Sequence, residues 1–221
     1  MNSILRKSLG WIIPSLVPLV LLLTAIRLLM TPTFLRLEYG LPNFPADSYG
    51  FTQQDRLKRA PFALDYLLND ADISFLGDLE FDDGSPLYSQ RELGHMVDVK
   101  NLAQRALSLW YLGLTILVGL GFWAWRAGWW RDYKKFLSIG GKITAAAIAV
   151  LIVFIVISFN QIFVGFHRIF FEGDSWLFYY SDTLIRLFPI RFWQDVFIYL
   201  GVMTFGGGLV FWRFVGRNTN S

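Results

Sequence analysis

Two histidines, His95 and His167, and no cysteine occur among the 221 residues. Without a thiol the chain has no disulfide, no thiolate metal site and no thioester chemistry of its own. What the histidines can do near neutral pH is carry protons, because imidazole is the side chain whose ordinary pKa lies nearest 7. On a helix Asp98 shares a face with His95, so its carboxylate could fix the imidazole tautomer from i+3. Asp98 could equally pair with Lys100 or with water. As metal ligands, His95, His167 and Asp98 make a thin set: there is no His-Glu-x-x-His spacing, and zinc takes more nitrogen or sulfur than this chain offers.

The elements that must position these residues are membrane helices. The chain is 54% apolar and only 17% charged, with a mean hydropathy of +0.43, and its apolar residues are blocked into long runs. That excludes an ordinary soluble domain. About 20 helical residues cross a hydrocarbon core of roughly 30 Å, and four segments are long enough: about 9–31, 106–125, 143–166 and 194–215. The expected fold is therefore an all-α membrane protein of four transmembrane helices. It divides into a first span at 1–31, an insert at 32–105 between helices 1 and 2, and the remaining spans at 106–221 with a short aromatic loop at 167–193. The first run follows Arg6 and Lys7 but has no small-x-small cleavage site behind it, so it reads as an uncleaved anchor. Pro14 and Pro18 should loosen its early turns.

Lysine and arginine set the orientation. Arg126, Arg131, Lys134, Lys135 and Lys142 face a single acid, Asp132, between spans two and three, and Arg213 and Arg217 lie in the tail. Both termini are expected in the cytoplasm. The insert, with seven basic and twelve acidic residues, suits the outer side, and so does the 167–193 loop. The basic residues sit where the membrane explains them, so the net charge of +3 implies no nucleic-acid partner. Both histidines then share the outer side.

Within the insert, Thr52 with Asp55 predicts a capped helix near 53–69, disturbed at Pro61. Leu79, Phe81 and the dipeptide Asp83-Gly84 predict a small hairpin in 73–88. Ser89 with Glu92 caps a helix with no breaker before Trp125, so span two should begin well outside the membrane. Measured from Lys142, His167 lies about 37 Å along a straight helix, in the headgroup layer, whereas His95 stands about 16 Å outside the start of span two. For the rings to meet, a helix must bend or the insert must fold down.

The segments Glu92-Leu93-Gly94-His95-Met96-Val97-Asp98-Val99-Lys100 and Phe166-His167-Arg168-Ile169-Phe170-Phe171, followed by Asp174-Ser175-Trp176, Asp182, Ile185-Arg186-Leu187 and Pro189, resemble the lipoprotein intramolecular transacylases. The likeness is strongest over about 89–200; before it only Tyr39-Gly40 and Tyr49-Gly50-Phe51-Thr52 are similar. Met96 stands where the family pattern often has Phe, as on a divergent branch. The resemblance implies a bacterial inner-membrane enzyme in which His95 and His167 move the sn-2 acyl chain of a lipoprotein's S-diacylglyceryl-cysteine to the α-amino group of that cysteine. No cofactor is implied.

That chemistry fits the residues. An α-ammonium of pKa about 7.7–8 must lose a proton before it attacks, and a neutral imidazole can take it. The second histidine could protonate the leaving glyceryl oxygen, and the choice of base and acid stays open. The oxyanion needs a positive group: Arg27, inside an apolar run, is the most conspicuous, ahead of Arg168 and Lys100, which at an interface would contact headgroups. Trp176, Phe170 and Phe171 could wall the acyl chains. Gly201 and Gly206-Gly207-Gly208 suit close helix packing. Two rival readings are a His95/His167/Asp98 metalloenzyme and a non-enzymatic assembly or partner-binding protein docking through the insert.

Overall fold

The computed structural model describes residues 3–215, so Arg217 of the basic tail lies outside the described residues. Eight α-helices follow in order: α1 (Ser3–Leu29), α2 (Pro32–Tyr39), α3 (Gln53–Leu68), α4 (Ser74–Gly77), α5 (Gln90–Arg126), α6 (Trp130–Phe170), α7 (Thr183–Leu187) and α8 (Ile190–Val210), which ends in a π-helical turn, Phe211–Val215. Helices α1, α5, α6 and α8 are long and apolar enough to cross a membrane. Many of their large apolar side chains face outward, Val156 and Ile157 being 73% and 74% exposed, which only lipid tolerates on this scale. The chain is a four-span, all-α membrane protein.

It divides into two compact units. One comprises residues up to 28, 106–157 and the chain from 197 onward. Its core is a stripe of α1 (Leu9, Ile13, Val17, Val20) against Leu117, Ala124, Tyr133, Phe136 and Leu137. Helix α1 is unbroken through Pro14 and Pro18. Its packing explains why: a Cβ at Gly140 would lie 2.6 Å from Val17 Cβ and 3.0 Å from the Pro14 carbonyl, so glycine lets α6 close directly on the proline turn. Gly141 and Gly208 do the same between α6 and α8, where a Cβ on Gly141 would meet the Gly208 oxygen at 2.6 Å. Of the other span-four glycines, Gly201 packs on Ile152 and Gly207 on Leu21, while Gly206 faces open space. Trp110 Nε1 donates to Thr24 Oγ1 at 2.9 Å, and Tyr133 donates to the Leu117 carbonyl at 2.7 Å.

The second unit, residues 29–105 with 158–196, has its own core around Leu35, Tyr39, Ala60, Ala63, Tyr66, Leu76, Leu87, Leu93, Met96 and Leu187. Helix α3 begins at the Thr52–Asp55 capping box and runs through Pro61 without a break, so the expected disturbance is absent. The hairpin is shorter than expected: 74–77 is helical, and only the stretch about Gly84 (φ 81°) turns back, with Leu87 N–H on the Leu79 carbonyl at 2.8 Å. Helix α2, not anticipated, starts from Thr31, whose hydroxyl accepts the Phe34 N–H, with Pro32 in its first turn. Helix α5 is continuous from Gln90 to Arg126, as its cap implied.

Glu38 on α2 is 1% exposed and neither of its oxygens has a protein donor among the described residues. Its partner is another acid, Asp195, which Arg191 holds at 2.5 Å. Burial first, then the neighbouring Asp195 carboxylate, pushes Glu38 up to about 7. The folded protein therefore holds a proton that the unfolded chain releases near its ordinary value of 4.5. Between those two values the folded state binds more protons, so stability must fall as pH rises. Thermal unfolding in detergent should show a midpoint that declines from about pH 5 to 7, and Glu38→Gln should flatten that decline and exceed the parent at pH 8. A pH-independent midpoint in the parent would contradict the proton held by Glu38.

Candidate active site

His95 stands on the second turn of α5 and His167 near the end of α6, both within the second unit. Helix α6 is not straight. Ser158, at φ −141° and ψ 43°, leaves the helical region, and a second helical stretch carries the chain on to His167. The two rings lie 6.2 Å apart, centroid to centroid, and only 20° from parallel. Phe171 stands edge-on to His95 at 4.9 Å and Phe178 at 5.3 Å. Around His167 are Phe163 at 4.2 Å, Trp176 at 4.9 Å, and Phe166 and Phe171 at 5.5 Å. The site is a pair of imidazoles in an aromatic cage.

Local bonding sorts the four ring nitrogens. His167 Nδ1 lies 2.7 Å from the Phe163 carbonyl oxygen, one helical turn back. A carbonyl only accepts, so Nδ1 carries the hydrogen and Nε2 of the neutral ring keeps its lone pair. His95 is 8% exposed, and its Nδ1 is buried without a hydrogen-bond partner among the described residues. An unsatisfied buried nitrogen costs about 1–3 kcal/mol, which marks a place where fold stability is not the governing requirement. Two imidazolium charges at this separation would repel by about 3 kcal/mol at an effective dielectric of 20, so the pair carries at most one of them near neutral pH.

The other candidates are dispersed. Asp98 is exposed and makes no hydrogen bond to His95. The buried arc of α5 runs through Glu92, Leu93, Met96 and Lys100 with His95 at its edge, and Asp98 falls about 60° beyond that edge at 100° per residue. Lys100, expected among headgroups, is instead buried: its ammonium reaches the Ala71 carbonyl at 2.5 Å and lies 4.1 Å over the Tyr66 ring. Arg168 is exposed, and Arg27 sits half-buried in the last turn of α1, in the first unit. Phe170 is 49% exposed and touches neither imidazole, unlike its neighbour Phe171. Among the described residues no group of three His, Asp or Glu side chains could hold a metal ion. Phe163 and Phe178 were missed by sequence reasoning. Phe163 acts through its carbonyl at i−4 from His167, a spacing that was readable, whereas Phe178 arrives from a loop and left no signal.

A family model described as lipoprotein intramolecular transacylase Lit matches residues 11–193. An uncharacterised protein of Aquifex aeolicus (strain VF5) is 28% identical over 208 residues, 93% of this chain and 92% of the relative. Among solved structures, the in meso structure of the membrane-integral lipoprotein intramolecular transacylase Lit from Bacillus cereus superposes with a TM-score of 0.76 at 21% identity, covering 98% of both chains. A histidine-to-arginine variant of that protein gives 0.62 at the same identity, over 97% of this chain and 95% of the variant.

Glu92, predicted as a helix cap, does more than cap. One oxygen accepts the Ser89 N–H at 2.7 Å and its hydroxyl at 2.9 Å; the other accepts the Leu184 N–H at 2.7 Å. Asp182, at the N-cap of α7, makes no capping bond to that helix, so Glu92 supplies the acceptor from α5, one turn before His95. The side chain is 2% exposed. Glu92→Ala would leave buried donors unmet and should cost at least about 2 kcal/mol in unfolding free energy. Glu92→Gln, which keeps one acceptor oxygen, should lose about half as much. The comparison is a denaturant titration in detergent, and equal stability of all three proteins would contradict this role.

Proposed function

The chain belongs to the lipoprotein intramolecular transacylase family, and we propose that it moves the sn-2 acyl chain of a lipoprotein's S-diacylglyceryl-cysteine to the α-amino group of the same cysteine, with His95 and His167 as the residues that handle the protons. The observation that carries this reading is the pair of near-parallel imidazoles 6.2 Å apart, close enough for both to serve one substrate.

The steps follow from the nitrogens. The free amine attacks the ester carbonyl; a C–N bond forms, and the C–O bond to the glycerol breaks as the tetrahedral intermediate collapses. The nitrogen loses one proton and the glyceryl oxygen gains one. His167 Nε2, unprotonated because Nδ1 is tied to the Phe163 carbonyl, takes the nitrogen's proton. That proton passes within the pair to His95, which delivers it to the departing oxygen, so the pair carries one added proton at a time and ends as it began. Since donor and acceptor belong to one molecule, holding them in register supplies much of the rate. The aromatic walls of Phe171, Trp176 and Phe178 suit acyl chains and exclude water that would compete as nucleophile.

The lysine and arginine asymmetry supports an inner-membrane placement with both termini in the cytoplasm and the histidines on the outer side. Single cysteines introduced at Ser85 and Ala127 should react with impermeant reagents from outside and inside respectively; the opposite pattern would reverse the topology. For the chemistry, mass spectrometry of a lipoprotein N-terminus from cells expressing the chain should show unchanged total mass with one acyl group moved from ester to amide. His95→Ala or His167→Ala should each reduce conversion by about 10²–10⁴, and the double replacement by little more. Full conversion in the double replacement would remove both histidines from the mechanism.

A further inference from the structure

Away from the histidines, the second unit contains a cavity of about 330 Å³ lined by Asp47, Ser48, Tyr49, Arg56, Tyr180 and Arg186 among others. Its charge is unbalanced. Arg186 pairs with Asp47, Nε to Oδ2 at 3.0 Å, but Arg56 forms no ion pair among the described residues although it is only 5% exposed. Two guanidiniums and one carboxylate leave a net charge of +1. Burial pulls the Arg56 guanidinium below its ordinary value, and the neighbouring charge of Asp47 only partly offsets it.

Both forks are held in place with donors to spare. Arg56 gives Nε to the Arg186 carbonyl at 2.9 Å and Nη1 to the Pro45 carbonyl at 2.7 Å. Arg186 gives Nη2 to the Tyr49 carbonyl at 3.0 Å and lies 3.6 Å over the Phe51 ring. Arg56 Nη2 and Arg186 Nη1 have no partner among the described residues. Pre-oriented guanidiniums of this kind recognise tetrahedral oxyanions. At the rim, Tyr49 and Tyr180 are 54% and 83% exposed, as tyrosines at a lipid headgroup layer are. Asp47 already accepts on Oδ2 from Arg186 at 3.0 Å and from the Phe51 N–H at 2.7 Å, so its charge is engaged within the site.

We propose that this cavity binds the phosphodiester of an anionic phospholipid headgroup between Arg56 and Arg186. A phosphodiester carries one negative charge and balances the site, and a four-span chain is surrounded by molecules that carry one. The ligand is separate from the acyl substrate, so binding is read without any acyl transfer.

The test is native mass spectrometry of the full chain in detergent, titrated with phosphatidylglycerol, phosphatidylcholine or inorganic phosphate. One phosphatidylglycerol should be retained per chain, at least tenfold more tightly than phosphatidylcholine, and Arg56→Gln should abolish that preference. Ser48→Asp, an exposed rim change that places a negative charge at the mouth, should weaken phosphatidylglycerol binding about tenfold in a protein with the parent's unfolding midpoint, and it decides the matter if Arg56→Gln does not fold. Equal retention of both lipids, or a preference untouched by Ser48→Asp, overturns the proposal. Displacement of phosphatidylglycerol by millimolar inorganic phosphate would assign the site to free phosphate and overturns the lipid.

Discussion

The bond from His167 Nδ1 to the carbonyl of Phe163 is the constraint on which the site depends. A histidine near the end of a long helix can rotate about two side-chain bonds and choose between two tautomers, and an acid–base residue that does either is out of register much of the time. Tying Nδ1 to a helical carbonyl removes both freedoms at once. The anchor is also cheap in sequence terms, because any residue at i−4 supplies a carbonyl. The cage then arranges itself about a ring of known orientation: Phe171 contacts both imidazoles, and Trp176, with its indole N–H on the Gly173 carbonyl at 3.2 Å, closes the side of His167.

Holding His95 opposite is a task for longer-range contacts. Its own Nδ1 is bonded to nothing among the described residues, so its position comes from the helix that carries it. Glu92 joins the start of α5 to α7, and Lys100 joins the same helix to the Asn69–Ala71 turn. Both charged groups are buried and both are fully engaged with donors or acceptors, which is the condition under which buried charge confers rigidity instead of instability. The segment of α5 between them therefore has a fixed rotation about its axis, and that rotation turns His95 toward the cage and Asp98 away from it.

Much of this architecture was legible from residues alone, for identifiable reasons. Apolar runs long enough to span lipid are nearly unambiguous, and the Thr52–Asp55 and Ser89–Glu92 pairs marked true helix starts because a capping box is a local interaction. The features that escaped were of two kinds. Helix α2 carried its signal, Thr31-Pro32, at the end of an apolar run that obscured it. The break at Ser158 and the arrival of Phe178 at His95 had no local signal at all, since neither proline nor glycine marks the break and the loop is placed by tertiary packing. The same limit explains the histidines' apparent depth mismatch, which assumed a straight α6. It also explains Asp98: an i+3 relation says which face two residues share, but not how far round the helix the buried arc extends.

The aromatic cage bears on fidelity. A glyceryl ester held beside a general base can be cut by whichever nucleophile arrives, and hydrolysis would strip a fatty acid from the lipoprotein irreversibly, whereas aminolysis merely relocates it. The side chains of Phe163, Phe166, Phe171 and Phe178 carry no hydrogen-bonding group, and the indole N–H of Trp176 is already committed to Gly173, so among these side chains a water molecule finds no fixed partner other than the imidazoles. On the proposed assignment of the two histidines, walls of this kind act on the partition ratio between the two outcomes separately from the turnover rate. A site built this way can be slow and still be accurate, which is the more useful property in an enzyme whose every error destroys its substrate.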